Sequence, residues 1–255
     1  MCRIKCGRSQ LLLICLATSL LFIMAMSLCS AAITESELKA RVIESTKDFQ
    51  DLSVVGTVIY KNKAALTKVD SAYSQLYEFK TANVKLKMPD KLRIDGKLGM
   101  VKVEYIVNQG TKIVRSPTLK INKKKDYSCD PAKLQNALDI GLITPSLWNG
   151  RQVEVIEDSE ANANSEIKLR LKWTKGDMVY MAWVDEKDLW LKRFEKQDNA
   201  GNLQVRMVYS NPQKIGEVIW MPMKVEMFAA DGEKAGASEF SDVKVNAGLA
   251  DSIFE

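Results

Sequence analysis

The sequence predicts a mainly β fold with a few helices: a single curved antiparallel sheet, in effect a half-open β-barrel, lidded by short helices. Three observations carry this expectation. Apolar residues recur with a period of two through most of the chain, as in strands with one buried face. Turn chemistry such as Asn149-Gly150, Asp198 to Gly201 and Asp231-Gly232 separates the alternating runs, which suits hairpins. Helical signals occur at only two places, too few for the strand–helix alternation that builds a parallel sheet.

The elements follow in order. Thr34 and Glu37 have capping-box spacing, and Leu38, Val42 and Phe49 give an apolar stripe that predicts a helix through about Gln50. Alternation then sets in at Val54, Gly56, Val58 and Tyr60, returns at Val84, Leu86 and Met88, and again at Val101, Val103, Tyr105 and Val107. Asp130 and Pro131 suit the N-cap and first position of a short second helix, with Leu134, Leu138 and Ile140 leading to Gly141. Residues 144–150 read as irregular chain. The second half resumes alternation at Ile167, Leu169, Leu171 and Trp173, at 178–184, at Leu189 and Leu191, at Leu203 to Tyr209, and at Met223, Val225 and Met227. About ten strands and two helices result, without internal repeats, in one domain over residues 32–255. So few helices over a strongly curved sheet are expected to leave an apolar hollow.

Residues 1–31 read as a signal peptide. Arg3, Lys5 and Arg8 form a basic start, residues 11–28 are almost wholly apolar, and Ser30-Ala31-Ala32 offers small residues for cleavage. An uncleaved anchor is the alternative, because the apolar run reaches the lower end of membrane-spanning length. Acylation at Cys29 is the third reading, disfavoured by the bulk of Leu28 before it. Cleavage after Ala31 lowers the formal charge from +5 to +2, so no basic footprint for nucleic acid remains. Cys129 would be the one cysteine left, which excludes an intrachain disulfide.

The chain contains no histidine. That removes Ser-His-Asp and Cys-His nucleophile systems, imidazole-based zinc sites and the usual neutral-pH base. No catalytic residue, metal or cofactor is expected. The acidic cluster Asp185, Glu186 and Asp188 lies between two strands and reads as a hairpin tip. Ser36 and Lys39 have a Ser-x-x-Lys spacing but fall in the first turns of a helix and lack companion motifs. Lys120 and Lys123 to Lys125 read as a solvated loop, with steering toward anionic head groups as the functional alternative.

The stretch VKLKMPDKLRI (84–94) resembles the hydrophobic-Pro-x-x-x-Arg strand pair of the LolA/LolB-like superfamily of periplasmic lipoprotein carriers and outer-membrane lipoprotein-sorting proteins. Residues 178–228 are similar to that superfamily's successive hairpins, and the terminal Asp251-Ser252-Ile253-Phe254 to its end. The resemblance implies a periplasmic, monomeric, non-enzymatic protein whose half-barrel cavity takes acyl chains of a lipoprotein or another lipid. Transfer would run from an inner-membrane donor toward an outer-membrane acceptor, with transient membrane contact. It also implies that Arg93 locks the lid. Read from the residues alone, Arg93 equally suits a strand arginine paired with Asp90 or Asp95.

Methionine and tryptophan are the expected lining, because flexible thioethers and broad rings accommodate acyl chains by contact area. Trp173, Met181, Trp183, Met207 and Met223 are the candidates. The competing function is a periplasmic sensor or scaffold of the same fold, its interior filled by its own side chains, that binds a protein partner at a sheet edge or through its lid helices.

Overall fold

Helix α1 (Glu35–Ser45) starts where the capping box predicts: the Thr34 amide donates to Glu37 Oε2 at 2.8 Å, and the Glu37 amide donates to Thr34 Oγ1 at 3.2 Å. It ends at Ser45, short of Gln50, after burying Leu38 and Val42. The computed structural model describes residues 33–69, 71–175 and 178–255, so the expected signal peptide lies outside the described residues.

Thirteen strands follow in the described chain: β1 (Asp51–Lys61), β2 (Thr81–Lys87), β3 (Lys91–Leu98), β4 (Val101–Asn108), β5 (Thr111–Ser116), β6 (Ile121–Asp126), β7 (Arg151–Ile156), β8 (Glu166–Trp173), β9 (Val179–Asp185), β10 (Leu191–Gln197), β11 (Leu203–Ile215), β12 (Ile219–Ala229) and β13 (Lys234–Val245). They form one open antiparallel sheet, curved into a half-barrel, in the order β6-β5-β4-β3-β2-β1-β13-β12-β11-β10-β9-β8-β7. Register shifts between Ser53 and Val55 and between Val58 and Tyr60 mark irregularities of the β1–β13 pair, the kind of bulge that bends and twists a strand. The two edges, β6 and β7, are consecutive in the chain. The crossing segment that joins them, residues 127–150, lies over the concave face.

Three helical pieces and the crossing segment cover that face. Besides α1 there are α2 (Lys63–Val69) and α3 (Ser71–Leu76), a region for which the alternation pattern predicts no helix. Ala65 and Leu66 of α2 are buried. The expected second helix is instead two separate 3-10 turns, Pro131–Lys133 and Ala137–Ile140. Leu134 interrupts them with extended backbone (φ −97°, ψ 138°), and Asn136 then caps the second turn through its side chain. A third turn, Pro145–Trp148, follows. The crossing segment contributes Leu138, Leu142, Ile143 and Leu147 to the main core.

Two smaller clusters lie on the convex side. Helix α4 (Ser159–Ala163) places Ala161 against Met181 and Trp183. The C-terminal turn Asp251–Phe254 seats the fully buried Phe254 on Ile106 and Ile113. Lys120 lies in the turn before β6, but Lys123 to Lys125 belong to the exposed edge strand itself rather than to a loop, and charged lysines there discourage edge-to-edge pairing. Asp185 organises the acidic tip: its Oδ1 accepts from the Lys187 and Asp188 amides at 3.1 and 2.8 Å. Among the described residues no helix is long and apolar enough to cross a membrane.

Candidate functional site

An apolar cavity of about 120 Å³ lies between α3, the crossing segment and the concave wall. Its wall combines Val84 and Ile94 from β2 and β3 with Met207, Val225 and Met227 from β11 and β12. Met207 and Met227 are direct cross-strand partners, so their side chains share a face by the pleat alone. Helix α3 and the chain after it close the space with Tyr73, Leu76, Tyr77 and Phe79. A second cavity of about 170 Å³ lies beside the first, between β3–β4, the crossing segment and the β7–β8 edge. Leu92, Gln135 and Asn136 line both, so the turn at 135–136 stands between them.

The crossing segment is fastened by tyrosines from four parts of the fold. Tyr105 donates to Gln135 Oε1. Tyr209 donates to the Leu138 carbonyl at 2.7 Å, Tyr180 to the Ala132 carbonyl at 3.2 Å, and Tyr73 to Asp139 Oδ1 at 2.7 Å. Lys196 Nζ reaches the Tyr73 hydroxyl at 2.6 Å and Asp139 at 3.5 Å. Burial first, and the Asp139 charge second, hold Tyr73 and Tyr209 well above the ordinary phenol range. Burial pushes Tyr77 up to about 12. All three hydroxyls are therefore neutral at physiological pH, as the hydrogen bonds that Tyr73 and Tyr209 donate to the segment require.

Of the residues singled out in the sequence, Met207 lines the first cavity and Trp173 the second. Met223 is partly buried against the main core and lines neither. Met181 and Trp183 pack on the convex side under α4, where Trp183 carries Arg193 stacked 3.5 Å from its ring centre. Arg93 also faces the convex side. It donates to the Ile253 carbonyl at 2.7 Å and to Asp95 at 2.8 Å, and pairs with Glu104 at 3.2 Å. The element it holds down is the C-terminal turn. Tyr73, Asp139, Lys196 and Arg151, the polar groups of the concave side, carried no sequence signal beyond polar residues next to apolar ones.

No protein-family model matches the chain, and no curated protein matches it by sequence. Solved structures do match. A DUF1329 family protein from Desulfovibrio piger superposes with a TM-score of 0.55 at 16% identity, covering 86% of this chain and 95% of that one. A putative outer membrane lipoprotein-sorting protein domain from Vibrio parahaemolyticus gives 0.51 at 11%, covering 85% and 97%. A LolA superfamily protein from Nitrosomonas europaea gives 0.53 at 14%, covering 88% and 98%. The chain has the LolA-like fold. Identities this low carry the fold alone. Within the LolA-like frame, the cavities occupy the space between the concave wall and its cover, where an apolar guest would be shielded from water.

Proposed function

We propose that the protein is a non-enzymatic, exported carrier that shields acyl chains of a lipoprotein or other lipid in the hollow of the half-barrel, in the periplasm, for transfer toward the outer membrane. The observation that carries this reading is the pair of adjoining cavities beneath a cover held by both tyrosine hydrogen bonds and its own buried leucines. Burying hydrocarbon there is worth about 0.8 kcal/mol per methylene. Each cavity in this closed form matches a guest of roughly benzene size, so a longer chain requires the 135–136 turn to move and the two spaces to join. Release then needs an acceptor that competes for the same chains. Transient membrane contact is supported by Met100 and Leu119, exposed at the β3–β4 and β5–β6 hairpin ends, next to Lys102 and Lys120.

The test is gentle purification of the exported protein followed by mass spectrometry of organic extracts. A co-purifying acylated molecule that rebinds after stripping is the expected result. Recovery of none, with no rebinding, overturns the carrier reading and favours a scaffold that binds a protein partner.

A further inference from the structure

The second cavity is lined by a buried cation, Arg151, that makes no ion pair among the described residues. Arg151 opens β7 and is 8% exposed. It stands opposite Trp173 of β8 in register, and its guanidinium carbon lies 3.9 Å from the centre of the Trp173 ring. Its Nη1 donates to the Ser146 and Leu147 carbonyls at 3.1 and 3.2 Å. Its Nε is buried with no hydrogen-bond partner in the protein, and so is the indole Nε1 of Trp173. No carboxylate pairs with Arg151 among the described residues. Asp139, a partly buried acid of the concave side that acts on it electrostatically, is already engaged by Tyr73, Lys196 and the Asn136 amide. Burial pushes the Arg151 guanidinium down to about 10, against the opposing influence of Tyr180 and Asp139. A buried charge left unpaired is costly, and a ligand that completes it is one physical account of its retention.

Stacking on Trp173 fixes the plane of the guanidinium, and the two carbonyls occupy Nη1. Nε is left without a partner and enclosed, and a guest that reaches the Nε–Nη2 edge would meet two parallel N–H groups at the spacing of a planar carboxylate. The Nε1–H of Trp173, a residue of the same lining, is a further enclosed donor without a partner. Leu86, Leu92, Val107 and Leu134 form the apolar wall of this cavity, with the exposed Asp90 and with Lys91 at the β2–β3 turn, and the cavity leads past Gln135 and Asn136 to the first, apolar cavity.

We infer that the second cavity is the head-group site for a single-chain amphiphile with a carboxylate end, a fatty acid, its head on Arg151 and Trp173 and its tail running past the 135–136 turn into the first cavity. This rests on the carrier reading and narrows its cargo. Charge-assisted hydrogen bonds in a desolvated site contribute about 1.5–3 kcal/mol, or about tenfold or more in affinity.

The experiment titrates the delipidated full chain at pH 8 with laurate and with dodecanol, which share a tail and differ in charge. Laurate is expected to bind about tenfold or more tightly than dodecanol. In Arg151→Met that preference disappears while dodecanol still binds within about twofold of the wild type, and Trp173→Phe reduces the preference while keeping the apolar wall. Retained dodecanol binding reports that a variant is folded, and the wild-type pair needs no variant at all. Equal binding of the two ligands by the wild type, or an undiminished preference in Arg151→Met, overturns the head-group site and leaves the carrier reading standing. Binding of neither overturns both.

Discussion

Tyr73 and Asp139 join two parts of the cover: the phenol of α3 donates across 2.7 Å to a carboxylate of the crossing segment, and Lys196 of β10 reaches the same hydroxyl at 2.6 Å. One acidic side chain thus ties a helix and a 3-10 turn to the sheet. Both charged partners are largely buried, at 13% and 10% side-chain exposure, where losing one member costs far more than at a surface pair. Asp139→Ala is expected to lower unfolding stability by on the order of 3 kcal/mol, and Tyr73→Phe by about 1 kcal/mol. Urea midpoints measure both. If the two substitutions cost the same few tenths, the contact does not hold the cover.

Arg93 gives a second prediction, because its placement separates stability from binding. It grips the Ile253 carbonyl from the convex side and so keeps Phe254 on Ile106 and Ile113. Arg93→Ala is expected to destabilise the fold by about 1.5–3 kcal/mol, as for a lost hydrogen bond from a charged donor, and to expose the C-terminal turn to proteolysis. Affinity for an acyl probe should stay unchanged. A loss of probe affinity with stability intact would instead assign Arg93 to the lid.

Glycine at 141 anchors the crossing segment where no side chain fits. Its φ is +80°, and a Cβ there would sit 2.3 Å from Pro222 Cγ, so Gly141→Ala combines left-handed strain of about 1–2 kcal/mol with overpacking of about 1–3 kcal/mol. Gly201 is the control: φ is +83°, but nothing lies within 4 Å of its Cβ position. Thermal melts should show Gly141→Ala clearly below Gly201→Ala. Comparable losses would mean that the segment yields at this corner.

The strands legible in the sequence are those with one apolar and one polar face. In β8 the burial alternates residue by residue, and the sequence alternates with it. β6 escapes because every residue is exposed, so no face is marked. β13 escapes because small residues line its inner side: Tyr77 packs so closely on Gly236 that a Cβ there would meet its ring at 2.2 Å, a tertiary fact with no local trace. Helices α2 and α3 are too short to build a stripe. Which side of β9 faces inward was equally hidden. Tyr180, Met181, Ala182, Trp183 and Val184 are all buried, and only the packing of α4 on the convex side assigns Met181 and Trp183 there. The methionine pattern led to Met207 because β11 keeps one solvent-facing side; Arg151 follows a turn and looks like any strand-opening arginine until Trp173 is seen beneath it.

The buried phenols predict how the fold responds to alkali. Tyr73, Tyr77 and Tyr209 ionise at higher pH in the folded chain than the ordinary value of 10. Above that value the unfolded chain releases these protons while the folded chain keeps them, so the native state binds more protons and stability falls as pH rises. Below it both states are protonated and the stability is fully present. The window therefore opens at about pH 10 and, for Tyr77, extends to about 12. Tyrosinate absorbance followed alongside circular dichroism should show these three of the seven tyrosines ionising only as the fold is lost, releasing the hydroxyls that hold Asp139 and Leu138. Complete titration of all seven near pH 10 with the dichroism unchanged would show that the cover opens freely to water.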